Sequence, residues 1–544
     1  MSVRCRKAGD KEDPDKVVCM PKEYVSSFAW DGADNMVFRP IAKFLEVDPG
    51  REAVNVNAFD EVPTSSWYEN RWVDRQETPE QVASGPCKND LDPSAVNEPG
   101  SWLIDQGKAN GATPGFRIRT KDKSKFLLKN NVGGAAERAS AASAIGVRLY
   151  HAAGFYTPCD SVVYFDPKLL KLKPGLTITD NTGVPRPFDE AALKDILNDS
   201  PHRGAEIRMQ SSKWLDGVPL GPFRYEGVRS DDPNDVIAHE DRRELRGARL
   251  LAAWINHFDA REQNSMMAWV AADPKKAESS PGYVRHYYLD ISDAMGSEWA
   301  SDGISRRLGK SYYFDAKDIA IDFVTLGIAD RPWHHSRRDP RVPGYGYFRA
   351  DDFVPEDWKP GYQNPAFLRM TEHDGAWMSR IIARIRPVDV VAIVRAGQIA
   401  VPSQELAIID ILQKRRMAIL RRYLTRLSPV ADVTTTATGI CAVDLGLRAQ
   451  IAAPAQFAYR VDVAEGAAQS NRQKATVSKA YTDGTLCIDI PRTAPEGGVP
   501  DGDDSRYRVI RVWNGVAKGA LHIHLYDRGP TRGLTVVGLV RANP

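Results

Sequence analysis

The chain has 544 residues, 42% hydrophobic and 26% charged, with 73 Lys plus Arg against 71 Asp plus Glu. That length exceeds one ordinary core and predicts two or three domains, and the composition is that of a globular protein. The near balance of charge disfavours nucleic acid as the main partner, and no apolar run is long enough to predict a transmembrane segment.

The first seven residues, Met1 to Lys7, lack the apolar core of a secretory signal. Taken as native they predict a cytoplasmic protein; if a signal has been removed, the location is periplasmic or extracellular. The six cysteines, at 5, 19, 87, 159, 441 and 487, show no Cys-x-x-Cys spacing, which argues against a zinc or iron–sulfur site. Cys441 and Cys487 fall on two predicted strands of one β-rich region and are the expected disulfide.

Residues 1–95 are rich in Pro, Asp and Asn with little periodicity. They read as an extended segment pinned to a surface by aromatics such as Trp67 and Tyr68. Residues 96–238 turn to β patterning. Strands are expected at 101–104, 115–120 and 125–129, then an Ala-rich helix over 134–153, then strands at 161–165 and 205–212. An insertion between the last two carries a helix near 188–197. Residues 239–430 are mainly helical, beginning with an amphipathic helix over 242–255. Between 297 and 365 lies a long irregular stretch, followed by helices at 374–384, 387–396 and 403–427, the last basic on one face. After Pro429, alternating Thr/Val runs separated by turn residues predict a β-sandwich over 431–544.

The chemistry concentrates at the end of the 242–255 helix. His257, Asp259 and Asn264 form His-x-Asp-x-x-x-x-Asn, and a predicted hairpin over 265–289 returns the chain to Asp290. An Asp and an Asn five residues apart can be aimed at one phosphate by a short loop, and the hairpin supplies a second Asp. A carboxylate ending an apolar strand is costly unless it has a partner, which ranks Asp290 above Asp293 as a metal ligand. Lys129 ends the 125–129 strand and is the expected phosphate-neutralising cation; Lys125 shares its face but sits at the turn. Glu137 is the sole acidic residue between Lys129 and Cys159, so it is the default partner for Lys129, with stabilisation of its helix's first turn as the other role. Gly111 and Gly115 belong to a glycine-containing stretch, 107–115, able to cover phosphates or simply to turn. The run from Asp231 to Asp235 reads as a turn more than as a cation site. His239, His334 and His335 lack metal-ligand spacing.

On Lys129, Asp259, Asn264 and Asp290 the chain resembles atypical kinase-like proteins, in the broad company of bacterial spore-coat and secreted kinases. Its motif Ser65-Ser66-Trp67-Tyr68-Glu69-Asn70-Arg71 adds a similarity to a group of bacterial kinase-like proteins over about residues 50–430. The resemblance implies an α+β fold, a two-lobed protein-kinase-like domain followed by an all-β sandwich. It implies ATP and Mg²⁺ as cofactors: Asp259 at the acceptor hydroxyl, Asn264, Asp290 and Asp293 for the metal, Lys129, Glu137, Gly111 and Gly115 for the nucleotide. Phe258 stands where such kinases carry Arg, and Ile291-Ser292 where they carry Phe-Gly. The expected activity is phosphotransfer to an unidentified hydroxyl on a protein, a sugar or a small molecule. The alternative is a pseudokinase or envelope scaffold that binds a partner through the sandwich.

Overall fold

In the computed structural model the described residues are 6–7, 17–25, 28–72, 77–87, 90–96, 98–108, 113–130, 137–179, 184–298, 301–492, 500 and 502–544. The architecture is mixed α+β with several separate sheets.

The first sheet is built from β1 (Trp102–Gly107), β2 (Gly115–Arg119), β3 (Lys125–Lys129), β4 (Asp160–Phe165) and β5 (Glu206–Lys213), with helix α1 (Arg138–Ala152) between β3 and β4. The order across the sheet is β4–β5–β3–β2–β1, antiparallel throughout, and the short strand Leu170–Leu172 adds in parallel to β1. Alternation decides the faces: Ile104, Phe116, Ile118, Phe126 and Leu128 point into one apolar core with Val163 and Met209. Helix α1 is nearly all buried, and its Ala and Ser residues let flanking elements approach closely. At Gly146 a Cβ would lie 2.4 Å from Ile291 Cγ2, so a bare backbone lets the loop after Asp290 seat against the helix.

Next come α2 (Arg243–Ile255), the hairpin of β6 (Ser265–Ala271) and β7 (Gly282–Tyr288), and three helices, α3 (Glu372–Arg384), α4 (Pro387–Arg395) and α5 (Pro402–Leu424). Leu251, Trp254, Trp377, Ile381, Ile408 and Leu412 knit α2, α3 and α5 into one core shared with α1. Arg415 and Arg416, two of the basic residues of α5, are buried. Arg415 donates to the carbonyls of Ala253, Trp254 and Arg349, Arg416 to those of Ile382 and Ala383. Each thereby caps a helix end.

The C-terminal region holds two antiparallel sheets. One runs β8 (Val430–Thr435), β9 (Gly439–Asp444), β13 (Thr485–Asp489), β12 (Thr476–Ala480); the other runs β11 (Ser470–Lys474), β10 (Arg460–Glu465), β14 (Tyr507–Trp513), β15 (Leu521–Asp527), β16 (Leu534–Arg541). Their apolar faces meet through Ile440, Leu486 and Ile488 on one side and Val461, Ile510 and Ile523 on the other. Cys441 and Cys487 are directly opposed on β9 and β13 and form a disulfide, as the strand prediction required. A second disulfide, Cys87–Cys159, fastens the chain before β1 to the start of β4. Replacing Cys441 and Cys487 together by Ser is expected to lower stability by about 2–4 kcal/mol, read as a shift of the denaturant midpoint.

The N-terminal segment departs from expectation. Phe28–Ala33, Asp34–Phe38 and Arg39–Leu45 form a helical run, the middle piece of π type. A π turn breaks the 3.6-residue period, which is why no helical pattern is visible there. From 51 to 71 the chain forms no helix, turns at Asn57–Asp60, and buries Trp67 and Tyr68. Asp60, with a left-handed backbone (φ 58°), accepts hydrogen bonds from Arg243 on α2, Arg380 on α3 and Arg541 on β16. One carboxylate thus ties strand β16 to the packed helices α2 and α3.

Candidate active site

Helix α2 ends at Asn256, whose left-handed backbone (φ 53°) turns the chain into the His257 loop. His257 is fully buried, its Nδ1 3.1 Å from the Tyr150 hydroxyl of α1. Burial brings its pKa down to about 4, so the ring is neutral and acts as a fixed strut beneath the loop. Asn264 donates from Nδ2 to the Asp259 carboxylate at 2.8 Å and to the Asp259 carbonyl at 2.7 Å. The spacing read from the sequence is therefore a closed ring of contacts within one loop.

The hairpin then does the positioning. Ser265 opposes Tyr288, and the Leu289 N–H donates to the Asn264 carbonyl at 2.9 Å, which sets Asp290 beside that loop. Asp290 has φ 50° and ψ 54°, a left-handed conformation that a non-glycine residue adopts at a cost of about 1–3 kcal/mol. Lys129 Nζ donates to Asp290 Oδ1 at 2.9 Å, and the Ser292 hydroxyl donates to the same oxygen at 3.0 Å. Lys129 holds the Asp290 carboxyl down at about 2 against the opposing effect of burial.

On β2, Gly115 lies directly opposite Lys129. A Cβ there would stand 2.3 Å from the Leu128 carbonyl oxygen, so the glycine serves strand packing and leaves space beside the lysine. It is thus a strand residue and not part of a phosphate-covering turn. Gly111 lies outside the described residues. Glu137 is not brought to Lys129: its carboxylate accepts the Ala400 N–H at 2.9 Å and lies 3.8 Å from Arg208. Position in the sequence pointed to Glu137, but it precedes the first turn of α1 and faces the α4–α5 connection. The α1 residue that reaches the site is Arg138, which donates to the carbonyls of Ser292 and Ala294 at 3.0 and 3.2 Å.

Asp259 is raised to about 7, chiefly by burial, with Arg261 opposing and Asp293 and Asp290 adding to the rise. Asp293 is also raised, by burial first, with Arg138 opposing and Asp290 adding. Asp259 and Asp293 are thus both lifted in part by the Asp290 charge, which Lys129 keeps ionised, and a divalent cation would relieve that repulsion. Among the described residues the three carboxylates are not drawn into a tight cage; the single close trio of such ligand atoms is Cys87, Asp90 and Cys159, and its sulfurs are already spent in a disulfide. Mg²⁺ needs no such cage, since it binds through one or two carboxylates and completes its shell with phosphate oxygens and water.

Several site residues were not anticipated. Asp160, 1% exposed, accepts from Ser143 at 2.6 Å and from Gln210 at 3.0 Å, and its charge favours a protonated Lys129. A lone Asp opening an apolar strand was the available signal, by the same reasoning that singled out Asp290. Lys108, at the start of the glycine-containing stretch, donates to the Thr113 carbonyl at 2.7 Å; burial, then Lys129, lowers it to about 8. Arg261 lies 3.1 Å from Asp259 and 3.0 Å from Asp31 of the N-terminal helical run. Its guanidinium sits 5.3 Å from the Tyr362 ring, which meets Tyr313 edge-on at 4.9 Å. Arg261 stands two residues from Asp259 in the same loop, whereas tertiary packing brings Asp31, Tyr313 and Tyr362 to it. The Asp231–Asp235 run is a structural turn in which Asp231 engages Arg229 and Asp235 engages His239 and Arg242.

Compared with known proteins, the chain matches no family model, no curated protein and no solved structure.

Proposed function

We propose that this protein is an ATP- and Mg²⁺-dependent phosphotransferase in which the β1–β5 sheet with α1 and the helical region from 239 to 430 act as the two lobes of a kinase-like domain. The observation that carries the reading is the Lys129–Asp290 contact, which joins a strand lysine to the residue delivered by the hairpin, next to the Asp259–Asn264 pair. A lysine on the third strand, a loop Asp and Asn, and a following Asp are the parts such catalysis requires.

Asn264 and Asp290, with Asp293 alongside, would hold Mg²⁺, which when bound offsets charge on the phosphates. Lys129 releases Asp290 and binds phosphate oxygens, with Lys108 close by. Asp259 orients the acceptor hydroxyl; as that oxygen bonds to the γ-phosphorus, the bond to the ADP oxygen breaks and the hydroxyl proton passes to Asp259. A carboxyl held near neutrality suits that transfer. Arg261 fixes Asp259, and Tyr313 and Tyr362 wall the acceptor side. The acceptor is a hydroxyl on a protein, a sugar or a small molecule.

The test is thermal unfolding with and without Mg²⁺-ATP, on the wild type and on Asp290→Ala. A ligand at a hundred times its dissociation constant adds about 2.7 kcal/mol to the folded state. A gain in the wild type that requires Mg²⁺ and vanishes in the variant is the expected result; no gain in the wild type sinks the proposal. A second reading, a nucleotide-binding scaffold without turnover, draws support from disulfides such as Cys87–Cys159 and Cys441–Cys487, which persist in oxidising compartments. Nucleotide binding with no phosphate transfer or release would select it.

A further inference from the structure

A cavity 530 Å³ in volume opens where four segments meet: the N-terminal segment, the turn between α1 and β4, the end of β5 with the connector after it, and strand β7. Its size falls within the range of small-molecule pockets. Three cations line it, each from a different segment: Arg71, Lys213 and Arg285. Glu69 and Asp216 share the walls, and Glu69 already pairs with Arg71 at 3.0 Å. Lys213 and Arg285 have no carboxylate within ion-pairing distance among the described residues. Arg285 donates to the Tyr283 hydroxyl at 2.5 Å, while its Nε is a buried donor with no acceptor. The Tyr156 ring lies between two guanidiniums, 4.8 Å from that of Arg285 and 5.8 Å from that of Arg71.

Cations gathered from separate segments around an aromatic ring, with too few carboxylates to match them, form a site for an anion. We propose that this cavity binds a small molecule carrying two or more phosphate or carboxylate charges, bridging Lys213 and Arg285. The placement gives such a ligand leverage on the other site. Strand β5, which carries Lys213, also carries Gln210, the residue opposite Lys129, and β7, which carries Arg285, delivers Asp290. An anion drawing the two strands together clamps the connector against the hairpin, so it acts as an effector of whatever binds at Lys129 and Asp290. The inference stands on this cavity alone and does not depend on the phosphotransferase reading.

The experiment is calorimetric titration of the full chain, free of Mg²⁺, with inorganic pyrophosphate and separately with citrate. Saturable binding of at least one anion is expected, weakened tenfold or more in Lys213→Gln and in Arg285→Lys and kept within twofold in Lys129→Met. Tighter binding of pyrophosphate marks the ligand as a phosphate compound, tighter binding of citrate as a polycarboxylate, and either supports the site. Lys213 is only half-buried, so its variant tests the site even where Arg285→Lys fails to fold. No saturable binding of either anion overturns the proposal. So does binding that survives Lys213→Gln but is lost in Lys129→Met, because the anion would then occupy the other site.

Discussion

Asp60→Ala is expected to lower the free energy of unfolding by about 3–5 kcal/mol, the cost of removing one partner from a buried ionic network. Arg243, Arg380 and Arg541 are each at most 4% exposed at the side chain, and all three converge on this carboxylate. Arg541 makes its one carboxylate contact there, its other hydrogen bonds going to the carbonyls of Ser428 and Val430. Without Asp60, three guanidiniums confront one another with only Glu61 and Asp374 near two of them. Burial pushes the Asp60 carboxyl upward, but Arg380, Arg541 and Arg243 outweigh it and hold it well below the usual carboxylate range. The sign follows: with the folded pKa below the unfolded one, this stabilisation is complete above about pH 4 and is lost as the pH falls below that. Wild type should therefore lose stability steeply in acid and Asp60→Ala much less so. Denaturant midpoints between pH 7 and pH 3 check both statements; equal midpoints at pH 7 would refute the keystone role.

If the protein is the phosphotransferase proposed above, Asp259→Asn is expected to reduce phosphate transfer by about 10²–10⁴, the usual contribution of a positioned proton acceptor. Nucleotide affinity should stay within a few-fold, because Asn264, Asp290 and Lys129 are left in place. The amide preserves the shape of the carboxylate and one acceptor for Asn264 Nδ2, but it cannot take a proton and no longer neutralises Arg261. Slow ATP hydrolysis by the purified protein, measured beside Mg²⁺-ATP binding, separates the two effects. Unchanged turnover with unchanged binding would remove Asp259 from the chemistry.

The local steps of the fold were readable because each relied on short-range periodicity. Strands β1 to β5, the hairpin of β6 and β7, and helices α2 to α5 carry their patterns within single segments, and the Cys441–Cys487 pair followed from two adjacent strands. The loop from Asp259 to Asn264 was equally legible, its contact being five residues long. The failures share a different cause. Glu137 is the sole acid between Lys129 and Cys159, yet Lys129 finds its counter-ion 161 residues away. Asp160 and Lys108 join the site through sheet order and loop packing, which no spacing encodes. The buried arginines of α5 look like a basic stripe in sequence, and nothing local reveals that helix ends stand ready to accept their hydrogen bonds.

The Asp60–Arg541 contact also has a consequence in time. The two residues are 481 positions apart, and at typical elongation rates the ribosome needs roughly half a minute to a minute and a half to cover that distance. Throughout that interval the Asp60 carboxylate has at most two of its three guanidinium partners, so the joint between the 51–71 segment and the helices is weaker than in the finished chain. Resistance of the 51–71 segment to proteolysis on the nascent chain should therefore reach its final level only when the sandwich is complete.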